Sequence, residues 1–175
     1  SGATGTAKTH ILRSAASMGA QVLDLEKLAN HRGSLLGSEP GISQPAQRLF
    51  ESRLVACFNL FDQRRPVYIE AESNKIGQVH IPPNLWAAMR NALRVTITAP
   101  LTARIAFLQR DYCHLIKDSD NLIHSLSGLR HRYSKHTFEN WQNDIKDQNL
   151  FMFLAAILKT HYDPSYARST ASRPL

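Results

Sequence analysis

Gly2-Ala3-Thr4-Gly5-Thr6-Ala7-Lys8-Thr9 is the stretch on which the reading of this chain turns. It matches the phosphate-binding pattern G-x-x-x-x-G-K-[ST] at every fixed position but one, where Ala7 replaces the second glycine. Such a loop needs backbone N–H groups at a helix N-terminus, a Lys for the phosphates and a hydroxyl for Mg²⁺. Thr9 to Met18 supplies the helix, with Ile11, Leu12 and Ala15 apolar and Gly19 as its stop. Gly5 gives the loop flexibility, and Ala7 fits if its φ is negative. On this reading Gly2, Thr4, Gly5, Thr6, Ala7, Lys8 and Thr9 bind phosphate. An ordinary Gly/Thr turn ahead of a helix is the competing reading.

Outward from the loop, short strand signals alternate with helical ones. Gln21-Val22-Leu23-Asp24-Leu25 reads as a strand, and residues 30–43 as a long loop rich in Gly and Pro. Ser43-Gln44-Pro45 opens a helix with Leu49, Phe50, Leu54, Cys57, Phe58 and Phe61 on one face. Pro66 to Glu70 and Arg94 to Ala99 are two further strands, separated by a helix over Pro83–Ala92. Leu101 to Ile116 is helical again. Strands separated by helices imply an α/β fold with a parallel sheet flanked by helices, as in P-loop NTPases. From about residue 118 only helical patterns remain, so a helical C-terminal extension follows. The expected division is a P-loop α/β domain over 1–117, a helical region over 118–162 and a loose tail over 163–175.

Composition narrows the classes of function. With 175 residues the chain can bury a core, and 43% apolar residues exclude a disordered tail. No run of apolar residues is long enough to span a membrane. Cys57 and Cys113 are too few for a disulfide framework, which points to a reducing, cytoplasmic setting. The net charge is +7, with +2 in residues 1–89 and +5 in residues 90–175. A basic excess of that kind suits an anionic partner such as nucleic acid or phosphate esters.

A P-loop is expected to have an acidic residue at the end of another strand, on the metal or its water. Glu70 and Glu72 fit that role, with Thr9, as Mg²⁺ ligands; solvated acids at a strand end are the alternative. Asp24 and Glu26 lie at the end of the first strand, on the edge where α/β sheets keep ligands. His31 and Arg32, in Ala29-Asn30-His31-Arg32-Gly33-Ser34, could hold a substrate or serve as loop scaffold. The run Leu129-Arg130-His131-Arg132-Tyr133-Ser134-Lys135-His136 interleaves cations with an aromatic, as RNA-binding surfaces do, so Arg130, Arg132 and Lys135 are candidate tRNA contacts. A solvated helix end is the other reading. Cys57 reads as core, and neither cysteine as a nucleophile.

Taken together, these segments resemble the C-terminal P-loop domain of bacterial tRNA 2-selenouridine synthases. The resemblance is carried by Gly2–Thr9, Val22–Ser34, Gln44-Pro45-Ala46-Gln47 with Phe50-Glu51, Pro66–Gly77 and His161–Tyr166. It implies a transferase that converts wobble 2-thiouridine in tRNA to 2-selenouridine through an S-geranyl intermediate, with selenophosphate and geranyl diphosphate as substrates. Family members also carry a rhodanese-like domain with a catalytic Cys. This sequence has neither that domain nor the strand leading into Gly2, so it reads as the middle of a longer protein. Residues 1–175 alone are then expected to aggregate readily and to bind phosphate ligands poorly. Two other classes fit the α/β pattern: a small-molecule P-loop kinase, and a non-enzymatic RNA- or anion-binding module.

Overall fold

The computed structural model describes residues 1–31, 42–71, 73–111 and 118–171. The chain divides into two compact units. The first holds Ser1 and Lys8–Thr96, and the second holds Gly2–Ala7 and Ile97–Leu175. The two units part at 96/97, whereas the sequence reading places its domain boundary at 117/118.

In the first unit, helix α1 (Lys8–Ser17) ends at Gly19, whose φ of +88° is the left-handed value a helix stop favours. Strand β1 (Gln21–Leu23) lies parallel to β2 (Val67–Ile69), with Val22 opposite Tyr68. Between them come α2 (Leu25–Ala29) and α3 (Gln47–Phe58). The Asp24 carboxylate accepts from the Lys27 N–H at 2.9 Å and so starts α2. The Asn30 cap at φ +50° ends it. A hairpin, β3 (Lys75–Ile76) and β4 (Val79–His80), is followed by α4 (Pro83–Asn91). Its two-residue turn places Gly77 at φ +57°, the left-handed conformation that glycine adopts most readily.

Two glutamines fasten that hairpin. The Gln44 amide donates to Ala29 O and Ile76 O and accepts from the Gln78 N–H. Gln47 pairs with both backbone groups of His80 at 2.8 Å, as a neighbouring strand would. The core of this unit is Leu23, Leu25, Ala29, Phe50, Leu54, Ile76, Val79 and Ile81. Of the face expected on α3, Phe50 and Leu54 are buried and Cys57 and Phe61 pack against the core. Leu49 and Phe58 do not lie on it, being 48% and 43% exposed.

The second unit is helical: α5 (Leu101–Asp111), α6 (Ser119–Leu126), a 3₁₀ segment over Ser127–Arg132, α7 (Lys135–Lys146) and α8 (Leu150–Ile157). A π-helical turn, Leu158–Tyr162, then leads into α9 (Asp163–Ala171). Buried residues recur at helical spacing, as in Phe138, Trp141 and Ile145 of α7. The tail expected over 163–175 is corrected to a helix as far as Ala171. Pro164 does not break it, because the first turn of a helix needs no intrahelical N–H bond there.

The protein is thus α/β and mostly helical, with two small two-stranded sheets among its described residues. The third strand expected over Arg94–Ala99 is also corrected. Only Ile97 pairs, in an isolated parallel bridge with Gly2 of the same unit. A β-prone run becomes a strand only where a partner continues the ladder; here Val95 O accepts from the Ser1 ammonium at 2.7 Å, and the residue stays 74% exposed. Among the described residues no helix is long and apolar enough to cross a membrane.

Candidate functional site

In the first unit, four side chains converge on the start of α1. Thr9 Oγ1 lies 3.2 Å from Glu26 Oε2 and 3.1 Å from each oxygen of Glu70. Lys8 Nζ stands 4.0 Å from Glu70 Oε1. Beside them, Arg13 Nε donates to Asp24 Oδ2 at 3.3 Å. Local sequence explains each placement. Lys8 and Thr9 open α1, Glu26 falls in the first turn of α2 after its Asp24 cap, and Glu70 follows the last residue of β2. Glu70 therefore sits at the C-terminal end of a parallel strand, where α/β proteins gather ligand-binding groups.

The electrostatics of this cluster are unbalanced. Glu70 is 5% exposed, and loss of hydration pushes its carboxyl above the ordinary 4.5. The nearby Asp24 charge pushes the same way, while Lys8 and the Thr9 hydroxyl oppose it. Thr9 has one hydroxyl proton within reach of three carboxylate oxygens on two acids, so it donates to one of them at a time. The donors are all hard oxygens, a hydroxyl and two carboxylates, which suits Mg²⁺ rather than a softer metal. Among the described residues no group of three His, Cys, Asp or Glu is arranged to hold a metal. Substrate oxygens and water would have to complete its shell.

In the second unit, Gly2–Ala7 forms a tied loop. The Ala3 carbonyl accepts from the Thr6 N–H at 3.3 Å and from the Thr6 hydroxyl at 2.8 Å. Gly5, at φ +85°, takes the positive value that a type II turn requires at its third position. The Thr4 carbonyl accepts from Arg104 Nε at 2.7 Å. Ala7 departs from expectation, because its φ is +60°, not negative. A left-handed Ala is strained by about 1–2 kcal/mol. Ala7→Gly is expected to raise unfolding stability by about 0.5–1 kcal/mol, after the entropy cost of glycine. Denaturant melts of the two proteins check this, and equal midpoints would contradict the strain.

The other expected residues are scattered. His31 follows the cap of α2, its N–H bonded to Glu26 O at 3.0 Å. Arg32, Glu72 and Cys113 lie outside the described residues. Cys57 is half-buried against the first core. Arg130 and Arg132 are exposed on the 3₁₀ segment of the second unit, and Lys135 is exposed at the first residue of α7. Sequence reading placed Glu26 at a strand end rather than beside Thr9; its position in the first turn of α2, two residues after the Asp24 cap, was the available signal. Arg104 was not marked for any role at the loop.

The family model for the tRNA 2-selenouridine synthase AAA domain matches residues 1–174. The tRNA 2-selenouridine synthase of Psychromonas ingrahamii is 30% identical over 192 residues, covering 94% of this chain and 51% of the relative. That of Marinobacter nauticus is 30% identical, covering 95% and 52%. That of Chromohalobacter salexigens is 37% identical over 111 residues, covering 63% and 29%. The chain thus spans about half the length of the first two relatives. No solved structure matches it.

Proposed function

Since the chain belongs to the tRNA 2-selenouridine synthase AAA-domain family, we propose that it is the phosphate-handling part of a tRNA-modifying transferase. The enzyme would convert wobble 2-thiouridine to 2-selenouridine by way of an S-geranyl intermediate, in the cytoplasm, with selenophosphate as selenium donor. The observation that carries the reading is the convergence of Lys8, Thr9, Glu26 and Glu70 at the start of α1.

In the first step the thiocarbonyl sulfur attacks the allylic carbon of geranyl diphosphate, the C–O bond breaks and diphosphate leaves. Negative charge grows on the departing oxygen, which fixed donors and cations stabilise. Lys8 supplies a cation beside that charge, and the N–H groups opening α1 add the positive end of a helix. Thr9, Glu70 and Glu26 would hold Mg²⁺, directly or through water; Mg²⁺ supplies further neutralisation of the diphosphate. The phosphate of selenophosphate would use the same groups. Titration of the full-length protein with geranyl diphosphate and Mg²⁺ tests this. Saturable binding that inorganic diphosphate displaces is expected, and no binding would overturn the assignment.

Arg130, Arg132 and Lys135 are proposed as tRNA contacts in the second unit. All three are exposed, and no acidic residue lies in the first turn of α7 to offset Lys135 at the positive end of that helix. Glu139 Oε1, at 3.7 Å, is a solvated partner worth little. Replacing the three by Ala is expected to weaken tRNA binding and flatten its salt dependence by about one unit of slope per lost phosphate contact. An unchanged slope in filter binding between low and high salt would move the tRNA surface elsewhere.

A further inference from the structure

Arg104 is a cation on α5 of the second unit, 7% exposed, and its side chain is bound at both ends of the guanidinium. Its terminal nitrogens meet Asp163 Oδ1 at 2.6 Å and Oδ2 at 3.1 Å, a two-pronged ion pair. Its Nε donates to the Thr4 carbonyl at 2.7 Å. Asp163 stands in the first turn of α9, directly after the π-helical turn Leu158–Tyr162. The loop also rides directly on the backbone of Arg104. A Cβ on Gly5 would come within 3.0 Å of the Arg104 carbonyl.

The peptide geometry gives this pair a consequence for the loop. In a planar trans peptide the C=O and N–H point to opposite sides. Fixing the Thr4 carbonyl on Arg104 therefore turns the Gly5 N–H away from α5. The Ala3 carbonyl, tied back by Thr6, does the same for the Thr4 N–H. Released, either carbonyl could rotate its own partial negative charge towards an incoming anion. A guanidinium donor holds a carbonyl more firmly than a neutral group would.

We propose that Arg104, aimed by Asp163 from α9, is a positioning residue that sets the direction of the Thr4–Gly5 peptide and hence the affinity of the loop for phosphate. The proposal rests on the phosphate reading above. It assigns the C-terminal helix a part in ligand binding that no motif in the loop reveals.

Titration calorimetry with inorganic diphosphate tests it on the parent, on Arg104→Lys and on the double variant Arg104→Met with Asp163→Leu. Lys keeps a cation for Asp163 but has no donor along its stem, so binding is expected to weaken on the order of tenfold to a hundredfold. The double variant removes both charges of the pair together, the buried Arg104 and the 36% exposed Asp163, so neither is left without its partner. It is expected to melt as the parent does and still to bind weakly, whereas a merely structural pair would regain affinity along with stability. Parent-like affinity in a double variant with a parent-like melt overturns the proposal. So does binding by Arg104→Lys within about threefold of the parent, and that result decides the matter if the double variant does not fold. Failure of the parent itself to bind diphosphate would instead overturn the phosphate reading, and this proposal with it.

Discussion

Lys8→Ala is expected to weaken binding of geranyl diphosphate by about a hundredfold or more while leaving a cooperative thermal transition. The magnitude follows from charge-assisted hydrogen bonds, each worth about 1.5–3 kcal/mol, of which an ammonium can make more than one to a diphosphate. The fold should survive because α1 contributes no fully buried side chain. Sequence reading placed Lys8 in the Gly2–Thr9 loop. The residue instead opens the helix with its side chain 18% exposed, 4.0 Å from Glu70 Oε1. Removing it also removes the charge that holds the Glu70 carboxyl down, so more of that acid would be protonated, further weakening a bound cation. Calorimetric titration and circular dichroism check both halves. Parent-like affinity would show that the phosphate sits elsewhere.

What sequence made legible was local, and what it missed was long-range. The Gly2–Thr9 pattern and the strand leading to Glu70 are each contiguous, so spacing alone made them readable, whereas the Asp24 cap of α2 was hidden because Gln21–Leu25 read as strand throughout. Thr9 meets Glu70 across 61 positions, and that meeting was foreseeable only because the motif names its own partner. Arg104 and Asp163 belong to no such pattern, and 59 positions separate them. Residues 163–175 read as a loose tail, when Asp163-Pro164 in fact lies in the first turn of a helix. Arg94–Ala99 had the composition of a strand but not the neighbours, and pairing is a property of the fold rather than of the segment. The conformation of Ala7 was hidden for a related reason. Its tied loop overrides the steric preference of the residue itself.

Glu70→Gln is expected to move stability and ligand binding in opposite directions. Burial holds the Glu70 carboxyl above its ordinary 4.5, so the folded state keeps the proton longer than the unfolded chain does. Between 4.5 and the raised value the folded protein binds more protons, and stability falls as pH rises through that window. Below it, both states are protonated and the acid costs nothing. An amide in place of the acid has no charge to desolvate. Without Mg²⁺, Glu70→Gln should therefore melt higher than the parent at pH 8, with the difference shrinking towards pH 4. Mg²⁺ should reverse the ranking of the two proteins in function. The amide cannot support the cation beside Thr9, and loss of such an outer partner typically costs about 10–100-fold in metal affinity. The Mg²⁺-dependent part of geranyl diphosphate binding should fall accordingly. A structural acid would behave differently: its loss would lower the melting temperature at pH 8 and leave the Mg²⁺ dependence intact. That pair of results would remove Glu70 from the site. The expected pair would mark it as a group kept buried and charged at a cost in stability, because the cation needs it.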